Sequence, residues 1–316
     1  MIINHNQNYD ILMIGYEKGY IIYSLYPFNI IKKNIININI ILIEIYYNSN
    51  IILFIDESVI NKVSFYDDNL NREIGFIRID NRILNIKCNK DYVLICDNSK
   101  IYIYYFVDLS LIQTIDYLNN NNLNFCLSYF VNNYSCILIE LNKIRIENLD
   151  NNTFKILNTN KNNIQYFNIS NNGTYLATSS SGDKIKIFDV KKCELIRVLK
   201  RGNISANIQS IYFNTINNKI IVSSDLETIH IFHNIKENNY KIDKPLLNKI
   251  SKYFNYNLFD YDFSFNRIKL DSKKKIALLL NNIFLIIDLK NLIIYNGIID
   301  ETNTEISYIN KYNINI

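Results

Sequence analysis

Residues 172–233 read NGTYLATSSSGDKIKIFDVKKCELIRVLKRGNISANIQSIYFNTINNKIIVSSDLETIHIFH. Two segments of this stretch, Ile185–Phe188 and Ile229–Phe232, alternate apolar and polar side chains as a half-buried β-strand does. Their last residues are 44 positions apart. A strand that returns after such an interval predicts a repeated unit built from short strands.

The same short strand recurs along the rest of the chain. Its other copies are Tyr20–Tyr23, Val63–Tyr66, Ile101–Tyr104, Ile144–Glu147 and Phe284–Ile287. Successive copies lie 43, 38, 43, 41, 44 and 55 residues apart. A period of about 40–45 residues with four short strands per unit is typical of a β-propeller blade. The spacing predicts one all-β domain over residues 1–316, a WD40-like seven-bladed propeller. The alternative, a pair of β-sandwiches, does not explain the period.

Composition agrees with a folded β-protein. Apolar residues make up 48% of the chain and charged residues 20%, which is far from a disordered composition. The net charge of +4 is mild and no basic stripe is visible, so we expect no binding to nucleic acid. The one lysine run, Lys273-Lys274-Lys275, predicts a solvated turn.

Reactive and targeting motifs are not found. The five cysteines form no C-x-x-C pair and no spacing with histidine that suits a metal, which favours free thiols in a reducing compartment. The chain has three histidines, seven glycines and no phosphate-cradling loop. It therefore offers few residues from which a catalytic site could be built. No stretch reaches the ~20 apolar residues that a bilayer span needs. We therefore expect a cytoplasmic, monomeric binding protein without metal or cofactor, and no enzyme.

Several motifs in residues 172–233 resemble the PROPPIN family, the β-propellers that bind polyphosphoinositides. That family has a blade ending in an I-R-I-F-D-like strand, then a Phe/Leu-Arg-Arg-Gly motif, an S-I-x-F strand and S-S-D-x-x-T-V-H-I-F. The corresponding segments here are Ile185–Asp189, Leu199-Lys200-Arg201-Gly202, Ser210–Phe213 and Ser223–Phe232. The resemblance covers nearly the whole chain but is specific in blades five and six. It implies two pockets for phosphatidylinositol 3-phosphate or the 3,5-bisphosphate, one on each side of the arginine motif.

The resemblance implies that one pocket is well preserved. Arg201 matches the second arginine of the motif, and Ser224, Thr228 and His230 match the family's Ser, Thr and His. Arginine suits this role because its planar fork can bind two phosphate oxygens at once. Hydroxyl groups and an imidazole N–H add directional donors.

The resemblance implies that the other pocket is altered. Lys200 replaces the first arginine of the motif, and Lys186 stands where relatives have Arg. Lysine keeps the charge but loses the bidentate geometry. Asp183 falls near a position commonly held by Thr, where it would repel phosphate, and Asn160 falls near one often held by His. We predict one strong site and one weak site.

The long sixth step predicts an insertion of about ten residues in blade six, within 234–258. It mixes lysines with apolar residues, a composition that suits a loop entering a lipid interface or one that packs back on the propeller. Its apolar residues are Leu246, Leu247, Ile250, Tyr253 and Phe254.

The function implied by the resemblance is a peripheral membrane adaptor in autophagy. Such a protein is recruited to phagophore, endosomal, vacuolar or plastid-derived membranes and holds a lipid-transfer or conjugation-machinery protein, with docking on blades one to three. The alternative is a propeller that binds proteins and has lost lipid recognition. The headgroup preference, the partner and the organelle are not fixed by the sequence.

Overall fold

The computed structural model describes residues 1–117, 125–159, 163–180, 182–216, 218–233, 262–264, 266–299 and 306–314. β-Strands are the regular elements of these ranges, and they form seven antiparallel sheets of four strands each, one of which gains a fifth strand. Within the same ranges no helix has the length and apolarity to cross a membrane. The predicted all-β, seven-bladed propeller fold is confirmed.

The first of two compact units, Met1–Asn158 with Asn171–Gly173, contains sheets 1 to 4. The strands of sheets 1 and 2 are β1 Ile2–His5, β2 Ile11–Tyr16, β3 Gly19–Leu25, β4 Phe28–Ile35, β5 Ile40–Ile45, β6 Ile51–Asp56, β7 Lys62–Asp67 and β8 Arg72–Arg78. Those of sheets 3 and 4 are β9 Asn85–Cys88, β10 Tyr92–Cys96, β11 Lys100–Tyr105, β12 Leu111–Asp116, β13 Phe125–Leu127, β14 Tyr134–Glu140, β15 Lys143–Asn148 and β16 Thr153–Asn158.

The second unit, Thr159–Ser170 with Thr174–Ile314, contains sheets 5 to 7. Sheet 5 comprises β17 Tyr166–Ile169, β18 Tyr175–Ser179, β19 Lys184–Asp189, β20 Glu194–Lys200 and, as its added outer strand, β24 Asp262–Phe263. Sheet 6 comprises β21 Ile208–Phe213, β22 Ile220–Ser224, β23 Thr228–Phe232 and β25 Asn266–Lys269. Sheet 7 comprises β26 Lys275–Leu280, β27 Ile283–Asp288, β28 Ile293–Ile299 and β29 Ile306–Asn313.

Apolar side chains from adjacent sheets within a unit form the core. Ala177 and Ile187 of sheet 5 pack with Ile211 and Val222 of sheet 6, and all four are fully buried. Because each sheet covers the face of its neighbour, the second and third strands read as nearly continuous apolar runs, and the outer strands keep polar residues. The fold therefore presents its chemically active side chains at sheet edges and connections.

The repeat holds for six of the seven predicted strands. The first six copies each lie in the third strand of a sheet, whereas Phe284–Ile287 lies in β27, the second strand of sheet 7. The last step of 55 residues therefore runs from the third strand of sheet 6 to the second strand of sheet 7. The insertion of about ten residues predicted from this step is an underestimate. The connection between β23 and β25 spans residues 233–265, about thirty residues. Its predicted lipid-facing residues, Leu246, Leu247, Ile250, Tyr253 and Phe254, lie outside the described residues.

One end of the lysine run is buried, contrary to the predicted solvated turn. Lys273 and Lys274 are exposed, but Lys275 is 0% exposed. Its ammonium group donates hydrogen bonds to the carbonyl oxygens of Leu226, at 2.6 Å, and Ser272. Burial lowers the pKa of Lys275, while Asp288 and other nearby carboxylates oppose this shift. The long lysine side chain reaches from sheet 7 to a turn of sheet 6, a contact that charge patterning does not reveal.

Candidate functional site

A surface pocket of about 590 Å³ opens where the outer edges of sheets 5 and 6 meet, within the second unit. Its described lining residues are Arg201, Gly202, Asn203, Ile204, Leu226, Thr228, His230, Arg267 and Lys269. The volume lies in the range typical of small-ligand sites. Three cationic side chains line this cavity, and no carboxylate stands among its described lining residues.

The register of two strands gives the pocket one of its walls. Thr228 of β23 pairs with Lys269 of β25, and His230 pairs with Arg267. Residues two apart in a strand point to the same face, and directly paired residues share that face. The hydroxyl, the imidazole and the two cations are therefore brought together by β-sheet geometry alone.

Arg201 closes the pocket from the side of sheet 5. It follows β20 directly and is 4% exposed. Its backbone N–H donates to the carbonyl of Asp183 at 2.8 Å, its Nε donates to the carbonyl of Gly182, and its Nη2 donates to the carbonyl of Ile204 at 2.6 Å. Two of its five N–H donors are thus used internally, which orients the guanidinium at the cost of part of its phosphate-binding fork.

Gly182, whose carbonyl oxygen accepts from Arg201, lies where the chain passes close to the backbone of Ala206. Its φ of +71° is unfavourable for other residues, and an added Cβ would lie 2.0 Å from the carbonyl oxygen of Ala206. By contrast, a Cβ on the motif glycine, Gly202, meets nothing within 4 Å. The glycine whose conformation and surroundings exclude a side chain is therefore Gly182, not the glycine of the recognised motif.

His230 presents a neutral imidazole to the pocket. The ring is 4% exposed, and its Nδ1 lies 3.1 Å from the hydroxyl of Ser264. Burial, followed by repulsion from the Arg201 and Arg267 charges, lowers the pKa of His230 to about 4. At neutral pH the ring is uncharged and offers a hydrogen bond rather than a charge.

Ser224 differs from the sequence-based prediction. Its side chain is 0% exposed, it does not line the pocket, and its Oγ accepts the backbone N–H of Leu226 at 3.3 Å. Leu226 itself lines the pocket. Ser224 supports this wall from behind because it ends β22 with its side chain turned inward.

Arg267 and Lys269 were missed by the sequence reasoning. Both are exposed on β25, and the Nε of Arg267 donates to Ser264 Oγ at 3.0 Å. The alternation N-R-I-K over residues 266–269 was the available signal, because it places two cations on one strand face. Their partner strand could not be identified from the sequence, since about thirty residues separate β23 from β25.

The predicted weaker site lies on the other side of the motif. Lys200 pairs with Lys184 across β20 and β19, and Lys186 lies two residues along β19, so the three lysines share one sheet face. Lys186 donates to the carbonyl of Thr159 at 3.1 Å. Burial and then the charge of Lys184 lower the pKa of Lys186. Lys200 is the last residue of β20 and does not line the pocket that contains Arg201.

Asp183 was expected to repel phosphate at the weak site. In the structure its negative charge also acts on Arg201. The negative charges of Asp225 and Asp183 partly offset the effect of burial, which lowers the pKa of Arg201. Asn160, the other expected change at the weak site, lies outside the described residues. Among the residues that are described, no three His, Cys, Asp or Glu side chains come together as a metal site.

The fold and the pocket together define a class: a β-propeller whose blade edges bring fixed cations and neutral hydrogen-bond donors together. Arginine, lysine, imidazole and hydroxyl groups are the donors that phosphate monoesters require. The arrangement suits binding of a phosphorylated headgroup.

Comparison with known proteins agrees with this class. The chain matches the PROPPIN family over residues 1–300 and belongs to that family. It is 26% identical over 240 residues to autophagy-related protein 18 of Dictyostelium discoideum, covering 73% of this chain and 64% of that protein. The match thus spans less than two thirds of that relative's length. The predicted family is confirmed.

Two solved structures share the fold. Hsv2 of Kluyveromyces marxianus superposes with a TM-score of 0.80 at 16% identity, covering 100% of this chain and 98% of the other. KlAtg21, in a complex with the coiled coil of AgAtg16, superposes with a TM-score of 0.79 at 18% identity and covers 99% of both chains.

Proposed function

We propose that the protein is a peripheral membrane adaptor that binds phosphatidylinositol 3-phosphate or the 3,5-bisphosphate through the pocket around Arg201, Thr228, His230, Arg267 and Lys269. The observation that carries this proposal is the cluster of three cations around a neutral imidazole in a cavity of about 590 Å³. The autophagy-related names of its relatives support a role on autophagic or endolysosomal membranes. We propose a binding protein and not an enzyme.

Weak binding at one shallow pocket would be strengthened by further contacts. The lysines 184, 186 and 200 provide a second cationic patch on sheet 5, and the mixed basic and apolar segment 234–258 is proposed as a third contact. Tethered contacts act at high effective concentration, so weak individual sites give stable recruitment. Lys200 lacks the bidentate fork of arginine, which is why we assign it the weaker site.

A protein partner is proposed on sheets 1 to 3. The neighbouring fourth strands of sheets 1 and 2 expose large apolar side chains, among them Ile35, Ile74 and Phe76. A groove of about 600 Å³ lies between these two sheets. Exposed apolar residues beside a groove favour docking of another protein. The KlAtg21 structure is a complex with the coiled coil of AgAtg16. This complex supports a lipid-transfer or conjugation-machinery protein as the partner.

Vesicle flotation tests the proposal. Vesicles containing phosphatidylinositol 3-phosphate, the 3,5-bisphosphate or no phosphoinositide are mixed with the wild-type protein and with Arg201→Ala. We expect selective flotation of the wild type and its loss in the variant. Equal flotation with all three vesicle types, or no flotation of any protein, would favour the second candidate, a propeller that acts through protein contacts alone. The altered sheet 5 site is the observation that supports that candidate.

A further inference from the structure

Ser264 occupies the point where the chain passes from sheet 5 to sheet 6. Just before it, β24 pairs in parallel with β20, with Asp262 opposite Leu199 and Phe263 opposite Lys200. Just after it, β25 begins at Asn266 on the edge of sheet 6. The pocket lies at this same crossing, so both flanking strands hold Ser264 beside it.

The hydroxyl group of Ser264 joins two pocket residues. Its Oγ lies 3.0 Å from Arg267 Nε and 3.1 Å from His230 Nδ1. A guanidinium nitrogen can only donate, so the hydroxyl oxygen must accept from Arg267. The hydroxyl then has one hydrogen left, and His230 Nδ1 is its other described partner.

We propose that Ser264 is a positioning residue that donates this hydrogen to Nδ1 and so fixes His230 as the Nε2–H tautomer. The proposal rests on the phosphate-binding function proposed above. With Nδ1 accepting, Nε2 carries the proton and offers an N–H to a phosphate oxygen in the pocket. The opposite tautomer would present a lone pair to the anion and repel it.

Two physical features favour this direction of the hydrogen-bond chain. Accepting a bond from the positive guanidinium polarises the serine O–H and makes it a better donor. A neutral ring is also required, because a protonated imidazole has no acceptor nitrogen, and burial lowers the pKa of His230 to about 4. The charged groups that act on the ring are Arg201 and Arg267, and both disfavour its protonation.

Nitrogen-15 NMR of histidine-labelled protein tests the tautomer without any ligand. The chain has three histidines, so His230→Gln assigns the signal. We expect the Nε2–H form in the wild type and in Ser264→Thr, and a mixture of both neutral tautomers in Ser264→Ala. An Nδ1–H form in the wild type would overturn the proposal.

Vesicle binding tests the consequence. We expect Ser264→Ala to weaken binding to phosphatidylinositol 3-phosphate vesicles roughly tenfold, the effect of one hydrogen bond to a charged group. Ser264→Thr should stay within about twofold of wild type, since it keeps the hydroxyl. Ser58→Ala, which removes an exposed hydroxyl bonded to Asp56 in sheet 2, is the matched control and should change nothing.

A double-mutant cycle with His230→Ala separates the role of Ser264 from general damage. The part of the Ser264→Ala loss that acts through the ring should vanish in that background, and any smaller loss that remains acts through Arg267. Full additivity would contradict the proposal. A parallel arm with soluble inositol 1,3-bisphosphate distinguishes headgroup recognition from membrane contact. If neither probe binds the wild type while His230 is still the Nε2–H form, the phosphoinositide function fails and the tautomer assignment stands.

Discussion

Arg201 and Arg267 face the same pocket but are held in different ways. Arg201 is buried and supports the carbonyl groups of Gly182 and Ile204, whereas Arg267 is exposed and contacts Ser264. We expect Arg201→Ala to lose lipid binding and also about 1–3 kcal/mol of stability, since the buried carbonyl of Gly182 loses its donor. Arg267→Ala should lose binding at least tenfold with an unchanged melting temperature. Lys200→Ala should reduce binding only slightly.

Vesicle binding combined with thermal unfolding checks this difference. Phosphatidylinositol 3-phosphate vesicles and vesicles without phosphoinositide are compared for all three variants. Equal loss from Lys200→Ala and Arg201→Ala would contradict the predicted strong and weak sites. Full binding by Arg267→Ala would show that β25 contributes no ligand contact.

At the scale of elements, two buried lysines connect sheet 6 to sheet 7 at opposite ends of the strands. Lys275 of β26 bonds the carbonyl of Leu226, which lies on the turn between β22 and β23 and lines the pocket. Lys219, just before β22, bonds Asn282 on the turn after β26. We expect Lys275→Met and Lys219→Met each to cost about 1–3 kcal/mol because partly buried oxygens lose a donor. Only Lys275→Met should also weaken binding, by releasing the Leu226 wall.

Urea unfolding and vesicle binding of the two methionine variants provide the measurement. The variants are matched in chemistry, in burial and in the sheets that they connect. A similar loss of binding in both would mean that general loosening of sheets 6 and 7, and not the position of Leu226, governs the pocket.

At the scale of the whole molecule, each unit buries a histidine that the fold keeps uncharged. Burial lowers the pKa of His5 to about 3 and that of His230 to about 4, from an ordinary value of 6.5. At these two positions the unfolded chain therefore binds more protons than the folded chain below pH 6.5, whereas burial raises the pKa of Glu44 and acts in the opposite direction. The free energy of unfolding should fall as the pH drops from about 6.5 towards 4, by on the order of 3 kcal/mol per histidine.

Urea unfolding at pH 7, 5.5 and 4.5 checks this pH dependence. His5→Gln and His230→Gln should each flatten the profile in this range, and the double variant should flatten it most. Buried carboxylates such as Asp97 and Asp288, whose pKa values are lowered, lose their contribution below this window. A wild-type stability that does not change between pH 7 and 4.5 would contradict the assignment.

Sequence reasoning reached the fold and half of the pocket for identifiable reasons. Arg201, Thr228 and His230 lie within one stretch of about thirty residues that matches the family motif. Their shared cavity could therefore be predicted from the sequence. Arg267 lies beyond a long connection of unpredictable length, and its pairing with His230 depends on strand register. Ser224 matched the motif by letter, but the side to which a strand-end residue points is decided by packing.

The sequence by itself determined the repeat, the seven sheets and the family, because hydrophobic periodicity and blade length are local properties of the chain. Tertiary structure alone decided which charges are buried and which face the pocket. Lys275 and Lys273 are equivalent in sequence, yet the first is fully buried and the second exposed. The physical reason is that burial and register are set by partners distant in sequence, such as the turn at Leu226 for Lys275 and strand β25 for His230.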